Sequence, residues 1–155
     1  MFRGNHPARV DEKGRLKVPA DFKALLQAGP EETEGKQLFY ITSKDGKRAE
    51  VWPLKAWEAV EAKLATIPNL NPAKQKFLDV TSYYGQMAEM DNQGRLLIPQ
   101  VLRESARVGN EGPADVVVFG KQDYLEVVNR GAFEAELKAA PLTVDDQAAL
   151  AGLGL

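Results

Sequence analysis

Cysteine is absent from the 155 residues, which excludes disulfides and thiolate metal sites. A single histidine, His6, leaves one imidazole for the whole chain, so a nucleophile–histidine pair can form only through it. No His, Asp and Glu cluster has metal-ligand spacing, and no glycine-rich loop ends in Lys-Ser or Lys-Thr. The expectation is therefore no metal, no cofactor and no catalytic residue. No apolar run approaches the roughly 20 residues that cross a bilayer. The start, Met1-Phe2-Arg3-Gly4-Asn5-His6-Pro7, lacks the apolar stretch of a secretory leader, so a cytoplasmic protein without membrane contact is expected. An excess of positive charge is missing too: 20 basic residues face 22 acidic ones, for a net charge of −2.

What the chain does have is a repeated motif. Asp11-Glu12-Lys13-Gly14-Arg15-Leu16-Lys17-Val18-Pro19 returns as Asp91-Asn92-Gln93-Gly94-Arg95-Leu96-Leu97-Ile98-Pro99, with five identities in nine positions at an offset of 80. Glu50-Val51-Trp52 and Ala56-Trp57-Glu58 align with Glu126-Val127-Val128 and Ala132-Phe133-Glu134 at an offset of 76. The repeating unit is small enough to be marginal alone, because too little of its surface would be buried. Two copies are expected to share a core or to pack against other chains.

Charge is distributed unevenly. Residues 1–24 hold Arg3, Arg9, Lys13, Arg15, Lys17 and Lys23 against Asp11, Glu12 and Asp21, a surplus of three, so the remainder carries −5. Acids gather at Glu31, Glu32 and Glu34 and at Asp145 and Asp146. A basic N-terminal segment on an acidic body suggests a face for an anion, although solvated turn charges explain it as well. Residues 86–107 hold three acids and three bases, so the second copy lacks the surplus of the first.

Each unit reads as strand, tight turn, strand, short helix, hairpin and helix. Ala8–Val10 is extended, Asp11 to Gly14 turns, and Leu16–Val18 returns with Leu16 and Val18 on one face and Arg15 and Lys17 on the other. Glycine supplies the positive φ, and aspartate bonds the turn backbone. Pro19 suits a first helical turn; Phe22, Leu25 and Leu26 follow at helical spacing, and Gly29-Pro30 stops them. The second copy repeats this from Met87 to Leu102. Leu38–Thr42 and Ala49–Trp52 flank an Asp45-Gly46 turn, and Val116–Phe119 and Leu125–Val128 flank Gly120 to Tyr124. Pro53 opens a helix carrying Leu54, Trp57, Val60 and Leu64. Asn129 caps another, with Phe133 and Leu137 facing inward. Between the copies, Asn71-Pro72 starts a helix bearing Phe77, Val80 and Tyr84. From Pro141 the chain is expected to fray, and His6 is placed in a mobile segment.

The Asp-x-x-Gly-Arg turns admit three readings. Asp11 with Arg15, and Asp91 with Arg95, are sensible turn staples that contribute little where exposed. A catalytic role is disfavoured, since an adjacent arginine lowers a carboxylate's pKa, whereas acid–base work wants it raised. Third, a basic two-stranded ribbon can enter a DNA major groove, with arginine reading guanine and Lys13 and Arg3 meeting phosphates. A competing non-DNA reading is a scaffold that uses Trp52, Trp57, Phe77, Tyr83 and Tyr84 as a protein-binding surface.

Met1-Phe2-Arg3-Gly4, Asp11-x-Lys13-Gly14-Arg15-Leu16-x-Val18-Pro19, Trp52-Pro53-Leu54-x-x-Trp57-Glu58 and Met90-Asp91-x-x-Gly94-Arg95-Leu96-Leu97-Ile98-Pro99 together resemble the MraZ family. The resemblance runs to about Leu137 and implies an α+β fold, mainly β with flanking helices. In it, two tandem AbrB-like (SpoVT-AbrB) swapped-hairpin half-domains form a pseudo-dimeric β-barrel. It divides the chain into a first domain at 1–66, a helical linker at 67–85, a second domain at 86–140 and a flexible tail at 141–155. It further implies a nucleoid-associated transcriptional regulator, assembled as a ring-shaped homo-oligomer. Such a regulator binds short G-rich repeats in double-stranded promoter DNA of the division and cell-wall gene cluster, its own promoter included. By residue, it makes Arg15 and Arg95 the DNA readers, Arg3 and Lys13 weaker contacts, and Asp11, Gly14, Asp91 and Gly94 the turn framework that orients the arginines.

Overall fold

The computed structural model describes residues 1–27 and 37–155. The expected helix stop at Gly29-Pro30 and the acids Glu31, Glu32 and Glu34 lie outside the described residues. Among those described are eight strands and six helices. The first copy contributes β1 (Asn5–Val10), β2 (Arg15–Lys17), α1 (Ala20–Gln27), β3 (Leu38–Thr42), β4 (Ala49–Pro53) and α2 (Leu54–Ala65). After α3 (Pro72–Tyr83), the second contributes β5 (Gln86–Glu89), β6 (Arg95–Leu97), α4 (Gln100–Ala106), β7 (Ala114–Lys121), β8 (Tyr124–Asn129) and α5 (Arg130–Ala139), and α6 (Val144–Ala151) follows.

The strands form one antiparallel sheet in the order β5-β3-β4-β8-β7-β1-β2-β6. Its two end strands meet at the Asp91 turn, where the Asp91 N–H donates to the Arg95 carbonyl at 3.0 Å. The sheet is thus a nearly closed barrel, and its order is symmetric under exchange of the two copies. β1 pairs with β7 of the second copy over six positions, and β5 pairs with β3 of the first over four. β2 pairs with β6, and β4 with β8. At two places a residue faces its own repeat equivalent, Leu16 opposite Leu96 and Glu50 opposite Glu126. This is the swapped, pseudo-dimeric barrel that the family resemblance implies.

The exchange corrects one local expectation. The Asp11 turn forms, but β1 and β2 pair only at Val10 and Leu16. Beyond that point the strands diverge, because each gains more from a partner in the other copy. Val10, Leu16 and Leu96 are fully buried, and that burial is available only once β1 reaches β7 and β2 reaches β6. α1 and α4 add Phe22, Leu102 and Ala106 to the same core.

α3 is fixed to the first copy's outer surface. Asn71 Oδ1 accepts from the N–H groups of Ala73 and Lys74, capping the helix, as its Asn-Pro start foretells. The Tyr40 and Thr42 hydroxyls both donate to the Thr81 carbonyl, at 2.9 and 2.7 Å. Trp57 of α2 stacks on Tyr40 and Phe77 and meets Trp52 edge-on.

Three further expectations are revised. His6 lies in β1 opposite Val118, with its ring edge-on to Phe22 and its Nε2 3.4 Å from Asp21; it is not in a mobile segment. Leu137 is 54% exposed, because α5 docks through its first turns, where Phe133 meets Phe119. Residues 144–151 form a helix instead of fraying. The Asp146 N–H donates to the Thr143 hydroxyl while the Thr143 N–H donates to the Asp146 carboxylate, a reciprocal cap that satisfies two end groups.

Leu96→Ala removes a fully buried side chain from the centre of the β2–β6 contact. It is expected to lower unfolding free energy by about 2–5 kcal/mol, measured by urea denaturation. A loss well under 1 kcal/mol would show that this contact does not carry the barrel.

Candidate nucleic-acid interface

The two turns are built alike, atom for atom. Asp11 Oδ1 accepts from the backbone N–H groups of Lys13 and Arg15 at 3.0 and 2.9 Å, and Oδ2 accepts from Arg15 Nε at 2.9 Å. Asp91 Oδ1 accepts from the N–H groups of Gln93 and Arg95, both at 2.9 Å, and Oδ2 from Arg95 Nε at 2.9 Å. Gly14 and Gly94 carry φ of +82° and +76°, a region that side-chain-bearing residues rarely enter. In both turns the carboxyl is held below its ordinary pKa of 3.8, first by the backbone N–H of the arginine and, further, by the arginine side chain.

Each turn is also bonded to the opposite copy. The Val18 N–H donates to the Gly94 carbonyl and the Ile98 N–H to the Gly14 carbonyl, both at 3.0 Å. With β2 and β6 in register, Arg15 lies opposite Leu97 and Lys17 opposite Arg95. Alternation turns Leu16 and Leu96 inward and leaves Arg15, Lys17, Arg95 and Leu97 on the outward face. Two stapled arginines and a lysine therefore share one small, rigid surface, as a consequence of how the core closes.

The residues singled out from sequence divide accordingly. Asp11, Gly14, Arg15, Asp91, Gly94 and Arg95 are brought together, and Lys13 is exposed on the first turn. Arg3 is not with them. It lies at the other end of β1, beside the β7–β8 turn, where Phe2 bridges Gln122 and a Cβ on Gly120 would run into the Arg3 backbone. Arg9 is countered by Asp115 at 3.6 Å on the neighbouring strand, so it adds little to the basic surplus of the N-terminal segment. Lys17, two residues from Arg15 and so on the same face of β2, is exposed opposite Arg95; it was not among the residues singled out as DNA contacts. Lys17 takes part in none of the ion pairs among the described residues. His6 faces Asp21 and the Phe22 ring and has no hydroxyl partner among the hydrogen bonds of the described residues.

A family model described as "MraZ protein, putative antitoxin-like" matches residues 1–80 and 85–151. The chain belongs to the MraZ family. It is 62% identical to the transcriptional regulator MraZ of Acidobacterium capsulatum and 50% identical to that of Koribacter versatilis, in both cases over the full length of both chains. It is 30% identical to the transcriptional regulator MraZ of Thiobacillus denitrificans, over 90% of this chain and 88% of that one. MraZ is thus a family of transcriptional regulators and not of enzymes. No helix among the described residues is long and apolar enough to cross a membrane.

The hydrogen bonds that hold the Asp11 and Asp91 carboxylates favour their charged form and so link the two turns to pH. A carboxyl depressed in the folded state contributes stability above its unfolded pKa and loses it as pH falls through the folded one. Carboxyl carbon resonances of Asp11 and Asp91 are expected to titrate below 3.8, with the Arg15 and Arg95 amide shifts flat around neutral pH. A midpoint above 3.8 for either residue would contradict the staple geometry.

Proposed function

We propose that this MraZ chain is a sequence-specific DNA-binding regulator that reads short promoter repeats upstream of the division and cell-wall gene cluster, its own promoter included. The observation that carries the reading is the placement of Arg15 and Arg95 on adjacent, mutually paired strands, each held by an aspartate through Nε. A guanidinium can make a bidentate contact end-on, through its two Nη groups, with Nε left free for another partner. With it committed, both terminal Nη groups of each arginine remain as a planar fork, the geometry that matches guanine O6 and N7. Aspartate pre-orders the side chain, so less rotamer freedom is lost on binding. Lys13 and Lys17 supply phosphate contacts that position this fork without reading sequence; Arg3 would reach only backbone farther along the duplex.

The second copy's turn carries Asn92 and Gln93 in place of Glu12 and Lys13, so its arginine reads bases with less phosphate attraction of its own. A chain with net charge −2 binds weakly through one such face. A ring-shaped homo-oligomer, held in the cytoplasm at the nucleoid, presents several faces to tandem repeats, and the later contacts become intramolecular. Within each chain we assign 1–66 and 86–140 as the repeated units, 67–85 as their helical linker and 141–155 as a tail. The scaffold alternative has lost most of its surface: Trp52 and Trp57 are buried and Phe77 and Tyr84 half-buried, leaving Tyr83 as the exposed ring of the set.

Binding to duplex DNA from upstream of the gene, compared with scrambled DNA of equal length and composition, tests the reading. Arg15→Ala and Arg95→Ala are each expected to weaken promoter binding by about 1–3 kcal/mol per lost bidentate pair, with melting temperature unchanged. A folded Arg15→Ala protein with full promoter preference would refute the role of that residue. A tandem array of repeats should bind roughly 10² to 10⁴ times more tightly than one repeat; equal affinities would rule out the ring-avidity mechanism.

A further inference from the structure

Two cations outside the turns are carried across the pseudo-two-fold to the opposite turn. Arg103 of α4, in the second copy, lays its guanidinium against Gly14 of the first: a Cβ built on Gly14 would collide with Nη1, Cζ and Nε of Arg103. Lys23 of α1, in the first copy, lies against Gly94 of the second, with Nζ 3.1 Å and Cδ 3.2 Å from the place of a Cβ. The two residues are repeat equivalents at the same offset of 80. Gly14 and Gly94 therefore serve twice, by adopting positive φ and by leaving room for a cation from the other half.

Neither cation is neutralised. Arg103 and Lys23 take part in none of the ion pairs among the described residues. Arg103 Nε is buried and has no hydrogen-bond partner. Asp11 and Asp91, the carboxylates of the two turns, are already committed to Arg15 and Arg95 through Oδ2 and to backbone N–H groups through Oδ1. A half-buried guanidinium without a counter-charge, its Nε buried and unpartnered, is unfavourable in the free protein. The same arrangement becomes favourable when an anion approaches from outside.

We infer that Arg103 and Lys23 are phosphate-contacting residues of the DNA interface, each flanking the arginine reader of the other copy. The inference rests on the DNA-binding reading above and adds to it. It also revises the charge balance of the two turns. The second copy, neutral over residues 86–107, gives its Arg103 to the first turn and receives Lys23 at its own, so both turns carry a borrowed cation. Lys13, Arg15, Lys17, Lys23, Arg95 and Arg103, drawn from both copies, then lie in the two turns, on the strands that leave them or against their glycines.

A phosphate contact and a base contact leave different signatures, which allows a decisive experiment on the full-length protein. Binding of promoter duplex and of scrambled duplex is measured across a salt series for the wild type, Arg103→Gln, Arg103→Lys and Lys23→Gln, with melting temperatures in parallel. For Arg103→Gln and Lys23→Gln, the slope of log affinity against log salt is expected to fall by about 0.9 per engaged copy. Affinity should fall on both DNAs alike, so the promoter-to-scrambled ratio is kept. Arg103→Lys should retain the wild-type slope. An unchanged slope in both Gln variants would overturn the inference. So would an unchanged slope with loss of the promoter-to-scrambled ratio, which marks a residue that only positions the turn. A wild type without promoter preference would instead defeat the sequence-specific reading, while its slope on scrambled DNA still reports whether these cations meet phosphate.

Discussion

The structure depends on the antiparallel contact between β2 and β6, three residues from each copy centred on Leu16 and Leu96. Both leucines are fully buried, and the Gly14 and Gly94 carbonyls take the Ile98 and Val18 N–H groups on either side of them. The register is therefore set by apolar burial and by two cross-copy hydrogen bonds at once. Strand periodicity makes that register decisive, because a slip of one residue would exchange the two faces. Leu16 and Leu96 would meet water and Arg15 and Arg95 would enter the core. The outward presentation of the arginines is thus the reverse side of the packing that closes the barrel.

The same symmetry has a cost elsewhere. Glu50 and Glu126 face each other across β4 and β8, both buried, and like charges in that position repel. The chain resolves this differently on each side. Glu50 accepts from Trp52 Nε1 at 2.9 Å and has Lys44 at 3.3 Å. Glu126 takes Arg48 at 2.9 Å, and Arg48 also reaches Glu136 at 3.1 Å. Burial alone would lower the Arg48 pKa, but the two glutamates more than offset it and raise it. Removing Arg48 would leave the buried Glu126 carboxylate beside that of Glu50 without its counter-charge, which is costly.

Much of this was legible in the sequence because it is local. The tandem motif, both Asp-x-x-Gly-Arg turns, the inward Leu16 and Val18, the Asn71 and Asn129 caps and the hairpin at Asp45-Gly46 all follow from spacing and turn chemistry. The fold as a whole came from the family resemblance, since alternation shows that Asn5–Val10 is a strand but not that its long partner is β7. The borrowed cations were illegible for the same reason: Lys23 and Arg103 look like ordinary helix-surface charges until the halves interlock. α6 was missed because an Ala-, Gly- and Leu-rich stretch obscures the short-range Thr143–Asp146 cap. Leu137 was misjudged because helical spacing gives a face and not how far along the helix that face stays covered.

α3 gives the interlocked barrel a property that its strands alone could not. Two separate chains with this strand exchange would fold only by meeting, and dilution would unfold them. Here the connection through α3, anchored at Thr81 and Phe77, makes the encounter of the halves intramolecular. Each barrel can then persist at high dilution, because its closure no longer depends on protein concentration.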